Sequence, residues 1–267
     1  MAETIGDILR NPVRDKLARG EVVASMTVRL VSGVEIASLA RTAGFDTLYI
    51  DVEHSSFSLA TTSQICIAAL AAGIAPFVRV PSIRPEHVGR ALDGGALGVI
   101  APHVCSAEEA RAVVAAAKFP PLGERSAAGG LPHLQYRAFP VAEANAALNA
   151  ATMVIVQCES AAFLERADEI MAVEGVDMAL IGTNDLLADW ALAGQYEHPR
   201  VREAYAQVIA AAQRQGKHVG VGGLSTWPQL VADFVRMGAR YVSTGTDLAF
   251  LLAECIARAK QVRDITV

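Results

Sequence analysis

Lysine is scarce in this chain: Lys16, Lys118, Lys217 and Lys260 are the only four among 267 residues. Lysine and arginine together number 23 against 28 aspartates and glutamates, a formal net charge of −5. No basic block and no interleaving of basic and aromatic residues occurs, which excludes nucleic acid as an expected partner. Long hydrophobic runs are missing as well. Although 52% of the residues are hydrophobic, every apolar stretch is broken by charge, glycine or proline well short of the roughly 18 residues a membrane span requires. Met1 to Arg10 has no apolar core of the kind a secretion signal carries. A cytoplasmic protein with no membrane partner is therefore expected. Cys66, Cys105, Cys158 and Cys255 lie far apart and mostly within apolar segments, the pattern of small buried hydrophobes rather than of disulfides or a zinc site. Absent too is a G-x-G-x-x-G turn after the first predicted strand, which runs on as Val28-Arg29-Leu30-Val31-Ser32-Gly33. A doubly wound open sheet thus lacks its dinucleotide-binding signature, and it would need fewer strands than are found.

What is present is alternation. Residues 5–19 read as an amphipathic helix interrupted near Pro12. Buried strands follow at 22–28, 47–53, 75–80, 98–102, 153–159, 178–182, 219–224 and 241–245, separated by helices at 34–43, 59–72, 85–92, 107–118, 161–172, 199–215 and 227–237. A further helix over 141–149 precedes the fifth strand, and one over 247–262 closes the chain. The segment 119–140 is too long and too rich in proline and glycine for a plain connector, so it is expected to be functional or mobile. Nearly every strand is a Val/Ile/Leu-rich run, as required when both faces are covered. The economical reading is an α/β fold, a TIM (β/α)8 barrel forming a single domain over 1–267.

In such a barrel the active site lies at the C-terminal ends of the strands, and polar residues collect there. The second strand, Leu48-Tyr49-Ile50-Asp51-Val52-Glu53-His54, ends in two carboxylates and an imidazole; alternation puts Tyr49, Asp51 and Glu53 on one face. The third strand carries Arg79 on the face of Phe77, and the fifth ends Gln157-Cys158-Glu159 with Gln157 and Glu159 sharing a face. The sixth leads into Gly182-Thr183-Asn184-Asp185. Each residue has an ordinary alternative: Asp185 as a helix N-cap, Glu159 as a solvated rim residue, Arg79 as a partner of Asp51 or Glu53, His54 as a loop cap. Their convergence on one barrel mouth favours function. Hard oxygens from Glu159 and Asp185 suit Mg²⁺ or Mn²⁺, which would act as a Lewis acid on a 2-oxo acid and lower the cost of an enolate. Arg79 would face the developing oxyanion, and His54 would accept the proton. None of the four lysines falls at a predicted strand end, which disfavours imine chemistry.

Asp51-Val52-Glu53-His54, Val78-Arg79-Val80-Pro81, Gln157-Cys158-Glu159, Gly182-Thr183-Asn184-Asp185-Leu186, Phe119 to Arg125 and Gly175-Val176-Asp177 together resemble the HpcH/HpaI family of class II pyruvate aldolases. The resemblance implies a TIM barrel whose C-terminal helix is swapped between subunits, in a homo-hexamer built as a trimer of dimers. It implies Glu159 and Asp185 as ligands of a divalent metal, Mg²⁺ or Mn²⁺ with Co²⁺ also allowed, Gln157 with the Asn184-Asp185 backbone as pyruvate contacts, Arg79 as transition-state stabiliser and His54 as base. An Asp matching Asp93 is implied to raise the basicity of that histidine, although the predicted layout puts Asp93 near the start of the fourth strand, on the other barrel face. The implied activity is reversible retro-aldol cleavage of 4-hydroxy-2-oxo acids to pyruvate, or hydroxypyruvate, and an aldehyde. Val52 and Thr183-Asn184 depart from common family residues beside the donor pocket, and Gly222-Gly223 suggests a roomy acceptor site. The alternatives are an acyl-CoA ester lyase of the citrate or malyl-CoA lyase type, for whose phosphates the rim offers only scattered arginines such as Arg84, Arg90 and Arg125, and a non-catalytic sugar-acid sensor.

Overall fold

Side chains of successive strand residues point to opposite faces, and in the computed structural model, which describes residues 4–265, that parity sorts the buried residues into two cores. The ends of the chain-long domain expected above, residues 1–3 and 266–267, lie outside the described residues. The strands are β1 (Val23–Val28), β2 (Thr47–Asp51), β3 (Ala75–Arg79), β4 (Gly98–Ala101), β5 (Met153–Cys158), β6 (Met178–Gly182), β7 (His218–Gly222) and β8 (Tyr241–Thr246). They pair in parallel in sequence order, and β8 closes on β1 to complete an eight-stranded barrel. Leu48, Ile50, Val78, Val99, Val154 and Ile181 face outward into the packed helices. Tyr49, Phe77, Ile100, Ile155, Leu180 and Tyr241 fill the barrel. Phe77 and Tyr241 stack inside it with ring centroids 6.2 Å apart. Small residues make space for these rings: a Cβ on Gly98 would lie 2.8 Å from the Phe77 ring.

Local sequence sets the helix ends. Asn11 accepts from the backbone of Val13 and Arg14, so the expected break at Pro12 is the start of the helix Pro12–Ala18. Ser58 caps Leu59–Ala72, and Gly73, at φ 71°, ends it. The helix predicted over 161–172 is two helices, Ala161–Glu165 and Ala167–Ala172, meeting at Arg166.

The segment 119–140 differs from expectation. It follows the helix Ala107–Ala117 and leads back to a strand start, so it belongs to the barrel's N-terminal face, away from the site. Leu131 and Leu134 pack there with Ile5 and Leu9, and Arg125 is buried in an ion pair with Asp93, Nη2 to Oδ1 2.6 Å. Three of the four lysines serve the same end. Lys16 pairs with Asp46, and Lys217 donates to the carbonyls of Met171 and Val173. Lys118 donates to the carbonyls of Asn149 and Thr152, and burial brings its ammonium down to about 8. Lys260 lies in the terminal helix Asp247–Arg263.

His133 in this segment is buried against the Ala96 carbonyl, 2.8 Å from Nε2, and burial lowers its pKa to about 4. The unfolded chain therefore binds a proton that the folded chain refuses between about pH 6.5 and 4. Stability is full above the ordinary histidine pKa and falls on acidification through that window. His133→Gln is expected to remove on the order of 3 kcal/mol of the acid-induced loss, read from urea unfolding at pH 7 and pH 4. An unchanged pH dependence would refute the assignment.

The four cysteines are unpaired thiols. Among the described residues no helix is long and apolar enough to cross a membrane. The terminal helix Asp247–Arg263 leaves Leu248, Phe250, Leu251, Leu252, Ile256 and Val262 exposed.

Candidate active site

Asp51, the last residue of β2, is fully buried and faces inward beside Arg79, its register partner on β3. The Arg79 guanidinium grips it with two hydrogen bonds, Nε to Oδ1 3.0 Å and Nη2 to Oδ2 2.7 Å. Its third nitrogen, Nη1, lies 3.0 Å from Glu53 Oε2, and its carbon lies 5.5 Å from the Tyr49 ring centroid. Burial disfavours the Asp51 charge, yet the Arg79 hydrogen bonds and charge, joined by the His54 backbone, hold it below the ordinary carboxylate range. Burial likewise works against the Arg79 charge, but Tyr49, Asp51 and Glu53 raise its pKa above the usual arginine value.

The strand ends at Asp51, and the parity expected to carry Glu53 inward does not hold. Instead Asp51 Oδ1 accepts from the backbone N–H groups of Glu53 and His54, both at 3.1 Å, folding the chain into an aspartate-capped turn. That turn brings Glu53 to Arg79 and leaves His54 at the cavity rim, its side chain 52% exposed and its Nε2 3.8 Å from Glu53 Oε2. Val52 packs toward the outer core rather than the donor side of the cavity.

Glu159 follows β5 and is 6% exposed. Gln157 Nε2 donates to its Oε1 at 2.6 Å, while Gln157 Oε1 is buried with no hydrogen-bond partner. Burial pushes the Glu159 pKa up and the nearby Asp185 and Glu53 charges add to it, against the His103 backbone and ring. Gly182 makes room for this carboxylate: a Cβ there would lie 2.9 Å from Glu159 Cγ. Asp185 stands in the first turn of the helix Thr183–Asp189, whose N-cap is Gly182, so it is not the cap its local sequence allows. Thr183 is buried, donating to the Gly222 carbonyl at 2.7 Å, and Asn184 accepts from Tyr196 Oη at 2.8 Å. Among the described residues no group of three or more His, Cys, Asp or Glu side chains is gathered as a metal site; Glu159 and Asp185, near enough for one charge to raise the pKa of the other, are two hard-oxygen donors, the number that fits a divalent cation keeping its other positions for water and substrate.

Two site residues escaped the sequence reading. His103, just beyond β4 and at φ 57°, donates its backbone N–H to Glu159 Oε2 at 3.2 Å and places Nε2 2.9 Å from Glu53 Oε1. Arg29, just beyond β1, donates from Nη2 to the His54 carbonyl at 3.0 Å. Both stand past strand ends, and that position was the available signal. Conversely, the structure does not bring Asp93 to His54 within the chain: it ends the helix Pro85–Asp93 and pairs with Arg125. Arg125, counted among cations for phosphate groups, is thereby removed from the rim.

Asp51, His54, Arg79, Gln157 and Asp185 line a cavity of about 350 Å³ at the C-terminal end of the barrel, and Glu159 and Glu53 connect to it through Gln157 and Arg79. No lysine lines it. It can polarise a small anion, accept a proton at its rim and hold developing negative charge against a fixed guanidinium.

The HpcH/HpaI aldolase/citrate lyase family model matches residues 31–253. A 4-hydroxy-4-methyl-2-oxoglutarate aldolase from Hapsidospora irregularis is 44% identical over 216 residues, 80% of each chain. A 2-keto-3-deoxy-L-rhamnonate aldolase from Escherichia coli K12 is 32% identical over 245 residues, 90% of this chain and 88% of that one. The crystal structure of an HpcH/HpaI aldolase from Desulfitobacterium hafniense superposes with a TM-score of 0.87 at 32% identity, covering 95% of this chain and 97% of the other. With the barrel, the converging strand ends and these likenesses in place, the chain belongs to the HpcH/HpaI aldolase/citrate lyase family.

Proposed function

We propose that this aldolase cleaves 4-hydroxy-2-oxo acids reversibly to pyruvate or hydroxypyruvate and an aldehyde, with Glu159 and Asp185 holding Mg²⁺ or Mn²⁺. The observation that carries the reading is Glu159, buried among like charges at the barrel mouth beside an acceptor without a donor. When bound, the cation supplies Lewis-acid polarisation of the 2-oxo group. Gln157 and the Asn184-Asp185 backbone orient the carboxylate end of the substrate. His54 takes the proton of the C4 hydroxyl as the C3–C4 bond breaks, releasing the aldehyde and leaving the pyruvate enolate. The same imidazole returns that proton to C3. Arg79, fixed by Asp51, Glu53 and Tyr49, donates to the oxygen on which charge develops. Imine chemistry has no lysine to use here.

The exposed apolar residues of the helix Asp247–Arg263 support cover by another copy of the chain, as in a homo-hexamer with that helix exchanged. Free thiols throughout support a reducing, cytoplasmic setting.

The test is exchange of the pyruvate C3 protons in D₂O, followed by NMR after EDTA and after adding Mg²⁺ or Mn²⁺. Exchange is expected only with metal. Its absence with pyruvate and hydroxypyruvate, despite bound metal, would overturn the reading.

A further inference from the structure

Asn184 and Asp185 follow β6 together, and both line the cavity. The steps above use the backbone of this pair and the Asp185 carboxylate; the Asn184 side chain has no part in them. Its amide is held from outside. Asn184 Oδ1 accepts from Tyr196 Oη at 2.8 Å, and Tyr196 does not itself line the cavity. A carboxamide whose oxygen is engaged on one side presents its NH2 group, two hydrogen-bond donors, on the other. That group lies beside Gly223: a Cβ there would come within 3.3 Å of Asn184 Nδ2, and Gly223 stands at φ 78°, so glycine keeps the space open. Among the described residues Nδ2 makes no hydrogen bond.

The anchor of this amide is firmly built. Tyr196 stands in the stretch between the helix Thr183–Asp189 and the helix Pro199–Arg214. Backbone hydrogen bonds from Leu192 to Leu187 at 2.8 Å, from Gln195 to Leu192 at 2.9 Å and from His198 to Gln195 at 3.0 Å fold that stretch back on itself. Trp190, Leu192 and Tyr196 pack against the outer core. The Tyr196 ring also meets the ring of Trp227, from the loop after β7, with centroids 5.3 Å apart. Loops from two neighbouring strands thus brace one hydroxyl, and the hydroxyl braces one amide. Such a group is oriented before a ligand arrives and loses little freedom on binding it.

The neighbours of the amide tell what it meets. Asp185, the next residue, is the proposed ligand of the cation that polarises the 2-oxo acid, so the acceptor oxygens brought here are those of that acid, and its carboxylate is the strongest among them. We infer that Tyr196 is a positioning residue for the 2-oxo acid: it acts through Asn184, whose Nδ2 it directs at the carboxylate. The assignment rests on the aldolase reading above. Without the Tyr196 hydroxyl the amide is free to turn, and with Oδ1 toward the carboxylate it repels what it otherwise binds.

The experiment measures kcat and KM for pyruvate C3 exchange in D₂O with Mn²⁺ in the parent protein, Tyr196→Phe, Asn184→Ala and the double variant. Phenylalanine keeps the ring contact with Trp227, so the thermal midpoint of Tyr196→Phe is expected to match that of the parent protein. The KM for pyruvate is expected to rise about fivefold in Tyr196→Phe, the size of one hydrogen bond between neutral groups, and about thirtyfold in Asn184→Ala, the size of one to a charged group. Adding Tyr196→Phe to Asn184→Ala should change KM no further, because the group through which the tyrosine acts is gone. Additive losses in the double variant, or a Tyr196→Phe effect confined to kcat, would overturn the assignment. A parent-like KM in Tyr196→Phe would remove this assignment alone, whereas absence of metal-dependent exchange in the parent protein would remove the aldolase reading and this assignment with it.

Discussion

Glu159→Gln is expected to lower kcat/KM for 4-hydroxy-2-oxo acid cleavage about a thousandfold, roughly 4 kcal/mol of transition-state stabilisation, without unfolding the protein. The charge it removes is the one the fold least tolerates: Glu159 is buried, and Asp185 and Glu53 press its pKa upward. The isosteric amide relieves that repulsion; its one acceptor oxygen can take the His103 backbone N–H while its NH2 group donates to Gln157 Oε1 once that amide is flipped, so the thermal midpoint without metal should hold or rise. Calorimetric titration with Mn²⁺ separates the contributions, because the variant should lose affinity while keeping its fold. Affinity equal to that of the parent protein would remove Glu159 from the metal site and undo the proposed mechanism at its centre.

Arg79→Ala should damage both stability and catalysis. The guanidinium pairs with two carboxylates at once, Asp51 through two hydrogen bonds and Glu53 through Nη1. Removing it leaves Asp51, with no exposed surface, as a buried charge without its principal partner, a change that costs about 3–5 kcal/mol. Catalysis loses the fixed donor for the developing oxyanion, about a hundred- to a thousandfold in kcat. Arg79→Lys divides the two roles. A lysine keeps the charge near Asp51 but lacks the planar fork, so it should restore most of the stability and little of the rate. Urea unfolding and steady-state kinetics on both variants read this split. Recovery of full kcat in Arg79→Lys would show that charge alone suffices and that the fork geometry has no catalytic part.

The barrel was legible because its strands are apolar runs with strict parity, and parity alone placed Arg79 with Phe77 and Gln157 with Glu159 inside it. Legibility failed where the chain leaves regular structure. Glu53 reaches the site through a turn capped by Asp51 rather than by continuing β2, and no strand pattern encodes that bend. His103 uses a left-handed backbone conformation that its residue type does not announce. Gly182-Thr183-Asn184-Asp185 reads as a turn because a glycine followed by polar residues hides the start of a short helix, Thr183–Asp189, with Gly182 as its N-cap. The segment 119–140 reads as functional or mobile from composition, whereas Phe119, Leu131 and Leu134 within it pack into the core with Ile5 and Leu9 at the barrel's opposite end. Within one chain Asp93 pairs with Arg125, on the face away from His54.

The terminal helix bears on how the protein behaves in dilute solution. Its 17 residues present six large apolar side chains, each at least 40% exposed, although Phe250 stacks on Phe45 of the same chain. In the proposed assembly, where another copy of the chain covers that surface, the stability it contributes follows mass action and drains away on dilution. Asp247 opens this helix and also ties down the turn that carries Arg29. Loosening of the helix at low concentration would therefore reach the mouth of the barrel, and activity measured far below micromolar protein would report assembly as much as chemistry.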